Sequence, residues 1–403
     1  MNLKAWFLLS GIFIFLSVKL AGQDIQQDNA NVIQFPGKSS AQFDRLFTSF
    51  NKLVLHGEGT INILHIGDSH IQADFFSGEV RKRLMNDIAT GCGARGLVFP
   101  YRMARTNNPV DYFVKFTGTW ESCRNVEYNK ECSLGVLGIM VKTKDSLSEI
   151  IFHFRDPATD FNFIRIYHNE DAHNFGFEFP GLEGRYSIQQ TPASGFTEIV
   201  FNEFMKDSLR MRIVRKDSLK SFFSLYGVDF ENKDAGITYS AAGVNGAEVI
   251  SFLRCDLLTK QLAQAKPGLV IVSLGTNDAY PVKFDKDQFK ENYKALIRNL
   301  RKDDPVLPVL LTIPGDSFRK RRYVNKNLPV LRDVIFEIAR ETDCAVWDFY
   351  SIMGGAKSIQ LWYKKGLVSK DKLHFDKAGY IIQGDLLSDA LIDAYSAFID
   401  RVK

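Results

Sequence analysis

Four short segments carry side chains that together could perform acyl transfer. Gly67-Asp68-Ser69-His70 offers a serine hydroxyl directly after an apolar run, and Asp371-Lys372-Leu373-His374 offers an imidazole with a carboxylate three residues ahead of it. Such an aspartate can turn back to hold one ring nitrogen, which leaves the other to accept a serine proton as the serine attacks an ester carbonyl. Gly275-Thr276-Asn277-Asp278 supplies a side-chain amide able to donate to an oxyanion. Gly243-Val244-Asn245-Gly246 supplies glycines that allow backbone N–H groups close to a substrate. Alone, each segment has a plainer meaning: Ser69 as a helix cap, Asn277-Asp278 as a turn, His374 as a loop histidine. The chemical reading rests on their order and on the elements that carry them. No H-E-x-x-H pair and no Walker loop occurs, so neither a metal nor a nucleotide cofactor is called for.

Those elements follow from the hydrophobic pattern. The apolar run 61–66 leads directly into Ser69, and Phe76, Val80, Leu84 and Ile88 then recur at helical spacing. From residue 236 the same alternation returns. Residues 237–241 read as a strand, and Ile250, Leu253, Leu257 and Leu258 mark a helix face. The unbroken run 269–274 suits a strand buried on both sides. Asp285 and Gln288 resemble a capping box ahead of the stripe Phe289, Tyr293, Leu296, Ile297 and Leu300. Strand 306–313, helix 331–339, strand 345–349 and helix 380–395 complete the series. The pattern predicts an α/β fold with a parallel five-stranded sheet and all four chemical segments at its carboxyl edge. Ser69 would then begin a helix, whose free N–H groups favour a developing anion.

Residues 106–235 have another texture. Short alternating segments at 112–116, 138–141, 150–154, 163–167, 197–201, 209–214 and 222–228 are separated by turn formers such as Gly181 and Gly184. They predict a β-sandwich inserted into a discontinuous α/β domain made of residues 40–105 and 236–400. One large decorated α/β domain is the alternative.

The four ordered segments resemble the blocks of the SGNH (GDSL-type) hydrolases. The resemblance implies a flavodoxin-like three-layer fold, Ser69 as nucleophile, His374 as base and Asp371 as its orienting acid. It also implies an oxyanion hole from the Ser69 N–H, the Gly246 N–H and the Asn277 side chain. Gly246 is preferred to Gly243 because a small or polar pair, here Ala247-Glu248, usually follows the family's glycine. GDSH continued by Ile71-Gln72-Ala73-Asp74, with Gly243-Val244-Asn245-Gly246-Ala247, is similar to bacterial peptidoglycan O-acetylesterases and related O-acetyltransferases. Some of these carry a jelly-roll-like sandwich, resembling a carbohydrate-binding module, between the serine and glycine blocks. The expected activity is removal of O-acetyl groups from a carbohydrate polymer, peptidoglycan before others. An O-acetyltransferase using the same triad, or a non-catalytic polysaccharide-binding protein, are the alternatives. His70 departs from the small or apolar residue common at its position, and reads either as a polar contact near the ester or as a helix-start residue.

The basic run Arg319-Lys320-Arg321-Arg322 follows the fourth strand and would overhang the same edge. Arg319, Arg321 and Arg322 could hold carboxylates of an anionic substrate, or form a solvated loop. Trp120 and Tyr167 could stack on sugars or belong to the core.

Residues 1–22 have a charged start at Lys4, an apolar run and the small-residue end Leu20-Ala21-Gly22, as in a secretory signal peptide. Lys19 cuts the apolar run short of a membrane span. Export across the inner membrane to the periplasm or beyond is expected, with no stable membrane insertion after cleavage. Among the five cysteines no C-x-x-C occurs, while Cys123 and Cys132 lie close enough to bridge in an oxidising compartment. The net charge of +4 includes no concentrated basic surface of the kind nucleic-acid binding needs, and residues 106–235 carry 15 Lys/Arg against 19 Asp/Glu. Nothing in the sequence fixes an oligomeric state.

Overall fold

The computed structural model describes residues 31–89, 93–155, 160–191, 195–216 and 221–403. The leader expected at residues 1–22 lies outside them. Continuous apolar strands need cover on both faces, and the alternating helices supply it. Seven strands form the central sheet: β1 (Ile33–Gln34), β2 (Thr60–Gly67), β3 (Gly93–Ala94), β4 (Gly236–Gly243), β5 (Leu269–Ser273), β6 (Val309–Ile313) and β7 (Ala345–Asp348). Their spatial order is β1-β7-β6-β5-β2-β4-β3. The middle five are the strands expected from sequence, all parallel and in flavodoxin-like order. The sheet is nevertheless larger than the predicted five. β1 runs antiparallel beside β7, and β3 runs parallel beside β4. Each has only two residues, too few to show a period. β6 also begins later than residue 306, immediately after Pro308, which has no N–H to give a ladder.

Helices α1 (Ser39–His56), α2 (Ser69–Gln72), α3 (Phe76–Asp87), α4 (Val249–Leu253), α5 (Leu258–Ala265), α6 (Lys286–Leu300), α7 (Asn327–Thr342), α8 (Phe349–Met353), α9 (Ser358–Lys364) and α10 (Lys377–Val402) make the outer layers. The period-two alternation of β2 divides the core between them. Ile61 and Ile63 pack with α1, α3, α8, α9 and α10, whereas Leu64 and Ile66 pack with α4, α5, α6 and α7. Asp285 caps α6 by accepting the Gln288 N–H at 3.0 Å, as the capping pattern anticipates.

Between β3 and β4 the chain builds two antiparallel sheets. The first has the order Phe175–Glu178, Ser208–Arg215, Leu147–Phe154, Tyr112–Phe116. The second runs Tyr186–Thr191, Phe196–Met205, Phe161–His168, Phe223–Glu231, Ile139–Thr143, Glu121–Arg124. Gly96–Val98, ahead of residue 106, also pairs with Phe223–Glu231. Phe230 of one sheet meets Phe152 and Phe154 of the other with ring centroids 5.3 and 4.9 Å apart. Tyr167 is part of this core, 1% exposed, and offers no face to a sugar. Trp120 packs partly buried against the core and donates its indole N–H to the Thr117 carbonyl. The hydrophobic cluster of these sheets continues without a break into the α4–α7 face of the central sheet.

A buried ionic quartet joins the two regions. Arg81 of α3 contacts Asp74 at 2.8 Å and Asp111 at 3.0 Å, and Arg95 contacts the same two carboxylates. None of the four side chains is more than 10% exposed. Two charges of each sign offset the cost of burial only while all four are present. Arg95→Met should therefore lower unfolding free energy by about 3–5 kcal/mol. Chemical denaturation measures this, and a loss below about 1 kcal/mol would show that the quartet contributes little.

Candidate active site

β2 passes into α2 without a loop. A Cβ on Gly67 would lie 2.2 Å from Ile71 Cγ1, so only glycine permits this turn. Gly243 of β4 and Ser273 of β5 are in register with Gly67, which brings the following segments to one edge. Ser69 then opens α2, with its N–H among those that a helix start leaves without an intrahelical partner. Asp68 caps the helix by accepting the His70 N–H at 2.9 Å. The Asp68 carboxylate is fully buried, and burial pushes its pKa up to about 6 against the pull of its hydrogen bonds.

The His374 loop turns back through Lys372, whose φ is +54°. One Asp371 oxygen accepts from the Ser369 hydroxyl and from the N–H groups of Leu373 and His374, at 2.7–3.0 Å. The other meets His374 Nδ1 at 2.8 Å. Burial would raise the Asp371 carboxyl, but these hydrogen bonds hold it well below the usual carboxylate range. An ionised Asp371 fixes the proton on Nδ1, so Nε2 presents its lone pair to Ser69 Oγ at 2.9 Å. The structure thus brings Ser69, His374 and Asp371 into one hydrogen-bonded line. Sequence spacing pointed to Asp371 but gave no sign of Ser369.

The two glycines of the second segment differ in kind. A Cβ on Gly243 would approach Gln72 N to 2.2 Å, so Gly243 lets α2 sit on the end of β4. Gly246 has φ +81° with open space where a Cβ would be, and its N–H carries no hydrogen bond among the described residues. Asn277 donates both amide protons, to Asp68 Oδ2 at 3.2 Å and to the Ala247 carbonyl at 3.0 Å. It therefore clamps the Ser69 turn to the glycine segment. To reach an oxyanion its amide must release one of these partners.

His70 packs behind His374. Its ring stacks on His374 at 5.2 Å and 28°, and Nδ1 meets the Tyr380 hydroxyl at 3.0 Å. Burial, with the neighbouring His374, pushes its pKa down to about 3, so the ring is neutral. The basic run forms a hairpin, with Phe318–Arg319 paired to Tyr323–Val324. Lys320 N–H donates to the Tyr280 hydroxyl and Phe318 N–H to the Lys372 carbonyl, so the hairpin bridges the Asn277 and His374 loops. Arg321 and Arg322 are exposed, and Arg319 is half-buried.

Gln72 was not evident from sequence. It is 2% exposed, and its Oε1 accepts the Asn245 N–H at 2.8 Å. Its Nε2 donates to Thr106 Oγ1, Asn107 O and Asn107 Oδ1 at 2.8–2.9 Å. Asn245 Nδ2 reaches the same Asn107 oxygen at 2.7 Å. One side chain thus sets α2, the Gly246 turn and residues 106–107 at fixed spacing. The one available signal was a polar residue facing β4 three positions after Ser69.

The GDSL-like Lipase/Acylhydrolase family model matches residues 223–382, a span that holds Gly246, Asn277, Asp371 and His374. The chain superposes on a solved peptidoglycan O-acetylesterase with TM-score 0.71 over 91% of this chain and 99% of that one, at 23% identity. Over residues 223–382 the chain is similar to the GDSL-like acylhydrolases. The fold is that of the SGNH hydrolases, extended by antiparallel sheets. More distant matches include a lipase/acylhydrolase from Enterococcus faecalis, with TM-score 0.32 and 23% identity over 38% of this chain and 75% of that one. Another is a GDSL-like lipase from Bacteroides thetaiotaomicron, with TM-score 0.30 and 22% identity over 39% and 76%. No curated protein sequence is detectably similar.

Two measurements probe this site. Gln72→Met, by releasing the Gly246 turn, should cut kcat on a small acetate ester about 10- to 100-fold with KM changed less than about threefold. Gln72→Glu, which keeps the acceptor for Asn245, should recover part of the loss. A folded Gln72→Met with kcat within about twofold of wild type would show that the turn holds itself. The second concerns Asp68. Its raised pKa means that the folded chain binds this proton more tightly than the unfolded one. Asp68 therefore subtracts stability as pH rises from about 4 to about 6. Over that range the stability difference should move in favour of Asp68→Asn by up to about 3 kcal/mol, read by denaturation at both ends.

Proposed function

We propose that this chain is an exported serine esterase that removes O-acetyl groups from a carbohydrate polymer, peptidoglycan before others. The observation that carries the reading is the line Ser69–His374–Asp371 at the carboxyl edge of the sheet. His374 Nε2 takes the Ser69 proton as Oγ attacks the acetyl carbonyl, and the N–H groups of Ser69 and Gly246 meet the oxyanion. Asn277 gives up its bond to Ala247 or Asp68 and adds a third donor. Collapse of the tetrahedral intermediate expels the sugar hydroxyl, protonated by His374. Water activated by the same imidazole then releases acetate from Ser69. His70, neutral and stacked, forms the wall behind the base.

Three further observations support the substrate and the compartment. The likeness to a peptidoglycan O-acetylesterase extends over 91% of the chain, well beyond the α/β part. Cys123 and Cys132 are bridged, which suits a compartment outside the cytoplasm and agrees with the leader expected at residues 1–22. No helix among the described residues is long and apolar enough to cross a membrane. Residues 106–235 act as the polysaccharide-binding insert of a hydrolase formed by 40–105 and 236–400. Arg319, Arg321 and Arg322 at the rim hold carboxylates of the polymer.

The test is acetate release from O-acetylated peptidoglycan beside acetylated xylan. Peptidoglycan should be the faster substrate, and Ser69→Ala should lower turnover at least about 1000-fold while remaining folded. Undiminished turnover in Ser69→Ala would overturn the mechanism, and faster release from xylan would overturn the choice of polymer.

A further inference from the structure

The disulfide Cys123–Cys132 closes a loop that leaves the antiparallel sheets and lies against α4, directly after the Gly246 turn. Tyr128, at the centre of this loop, is 55% exposed. An exposed aromatic on a loop is ordinarily free to rotate, but this one is fixed from three sides. Its hydroxyl is hydrogen-bonded to Ser251 Oγ at 3.1 Å and donates to Glu248 Oε2 at 3.4 Å. The Arg254 guanidinium covers one ring face at 4.9 Å from the centroid. The same guanidinium donates to the carbonyls of Asn125, Glu127 and Lys130, which pins the loop on both sides of the ring. More than half of the Tyr128 surface is open to solvent, and no second cation or aromatic ring lies against it among the described residues. Glu248 follows Ala247, whose carbonyl holds Asn277, so the ring stands beside the oxyanion segment. Past Tyr128 the loop runs into the wall of a cavity of about 470 Å³ that includes Glu131, Ser133, His168 and, from α5, Lys260 and Gln261.

We propose that Tyr128 is a saccharide-stacking platform, which seats a sugar ring of the polymer beside the ring that carries the scissile ester; the proposal rests on the esterase reading of Ser69. The physical grounds are pre-organisation and position. A flat apolar face held rigid loses little conformational freedom when a pyranose C–H face lies on it. Arg254 on the far side serves the ring rather than the substrate. The cavity beyond gives the next unit of the chain a concave surface to follow. A polymer thereby gains contacts that a small ester cannot reach.

The experiment compares Tyr128→Leu and Tyr128→Phe with wild type on O-acetylated peptidoglycan and on a small neutral acetate ester. Tyr128→Leu should raise KM on the polymer roughly 3- to 10-fold and leave the small ester within about twofold. Tyr128→Phe, which keeps the ring and its Arg254 contact but loses the bonds of the hydroxyl, should fall between wild type and Tyr128→Leu on the polymer and stay within about twofold on the small ester. Unchanged polymer KM in Tyr128→Leu would overturn the proposal. So would an equal loss on both substrates, because it would make Tyr128 a prop for the oxyanion segment. Polymer binding by Ser69→Ala, with and without Tyr128→Leu, reads the platform without turnover. A wild type inactive on both substrates, yet binding polymer through Tyr128, would therefore fault the esterase reading alone.

Discussion

Three of the four chemical segments are tied together through one buried carboxylate. Asp68 holds the first turn of α2 through the His70 N–H, and so aims Ser69. Through Asn277 it also fixes the segment after β5, whose amide in turn holds the carbonyl beside Gly246. A carboxylate in such a place is unfavourable, as its raised pKa records. The arrangement is possible because Gly67 and Gly243 have no side chains, so α2 can rest on the sheet end where a Cβ would collide. Only the fourth segment is independent: Asp371 and His374 organise themselves within one short loop and approach Ser69 from the far side.

This division explains what could be read from the sequence. Runs such as 269–274 need burial on both faces and say so locally. The Asp371–His374 spacing is likewise local, and its hydrogen bonds are those the spacing suggests. The strands β1 and β3 are too short to show a pattern. α1 has a regular stripe of Phe43, Leu46, Phe47 and Phe50, but no side chain caps its start. The Gln72–Asn245–Asn107 cluster joins residues from three distant stretches, so no window of sequence contains it. Tyr167 shows the same limit from the other side. Its alternating strand identifies a sheet, but only the packing of the second sheet shows which face is buried.

The β-rich segment is not an appendage. Its hydrophobic cluster is continuous with the α4–α7 side of the central sheet, and the Asp74–Arg81–Arg95–Asp111 quartet ties its base to α3. Thr106 and Asn107, near its beginning, touch both α2 and the Gly246 turn. Arg254 clasps its disulfide loop. The geometry around Ser69 is therefore partly built by residues that do not belong to the α/β layers.

Entry and exit of this segment lie side by side, since β3 pairs with β4 at Ile237 and Thr238. That adjacency bears on the order in which the protein assembles. β2 must pair with β4 across the whole intervening chain, Thr60 with Gly236 through to Gly67 with Gly243. Parallel pairing over such a separation is slow, because the closure entropy must be met before any contact repays it. The pairings within the antiparallel sheets all span shorter separations than this one and can form earlier. Once folded, they hold the two ends together and reduce a long search to a short one. The Ser69 turn would thus be among the last parts of the molecule to take shape, so its hydrogen bond to His374 closes only once the chain around it is complete.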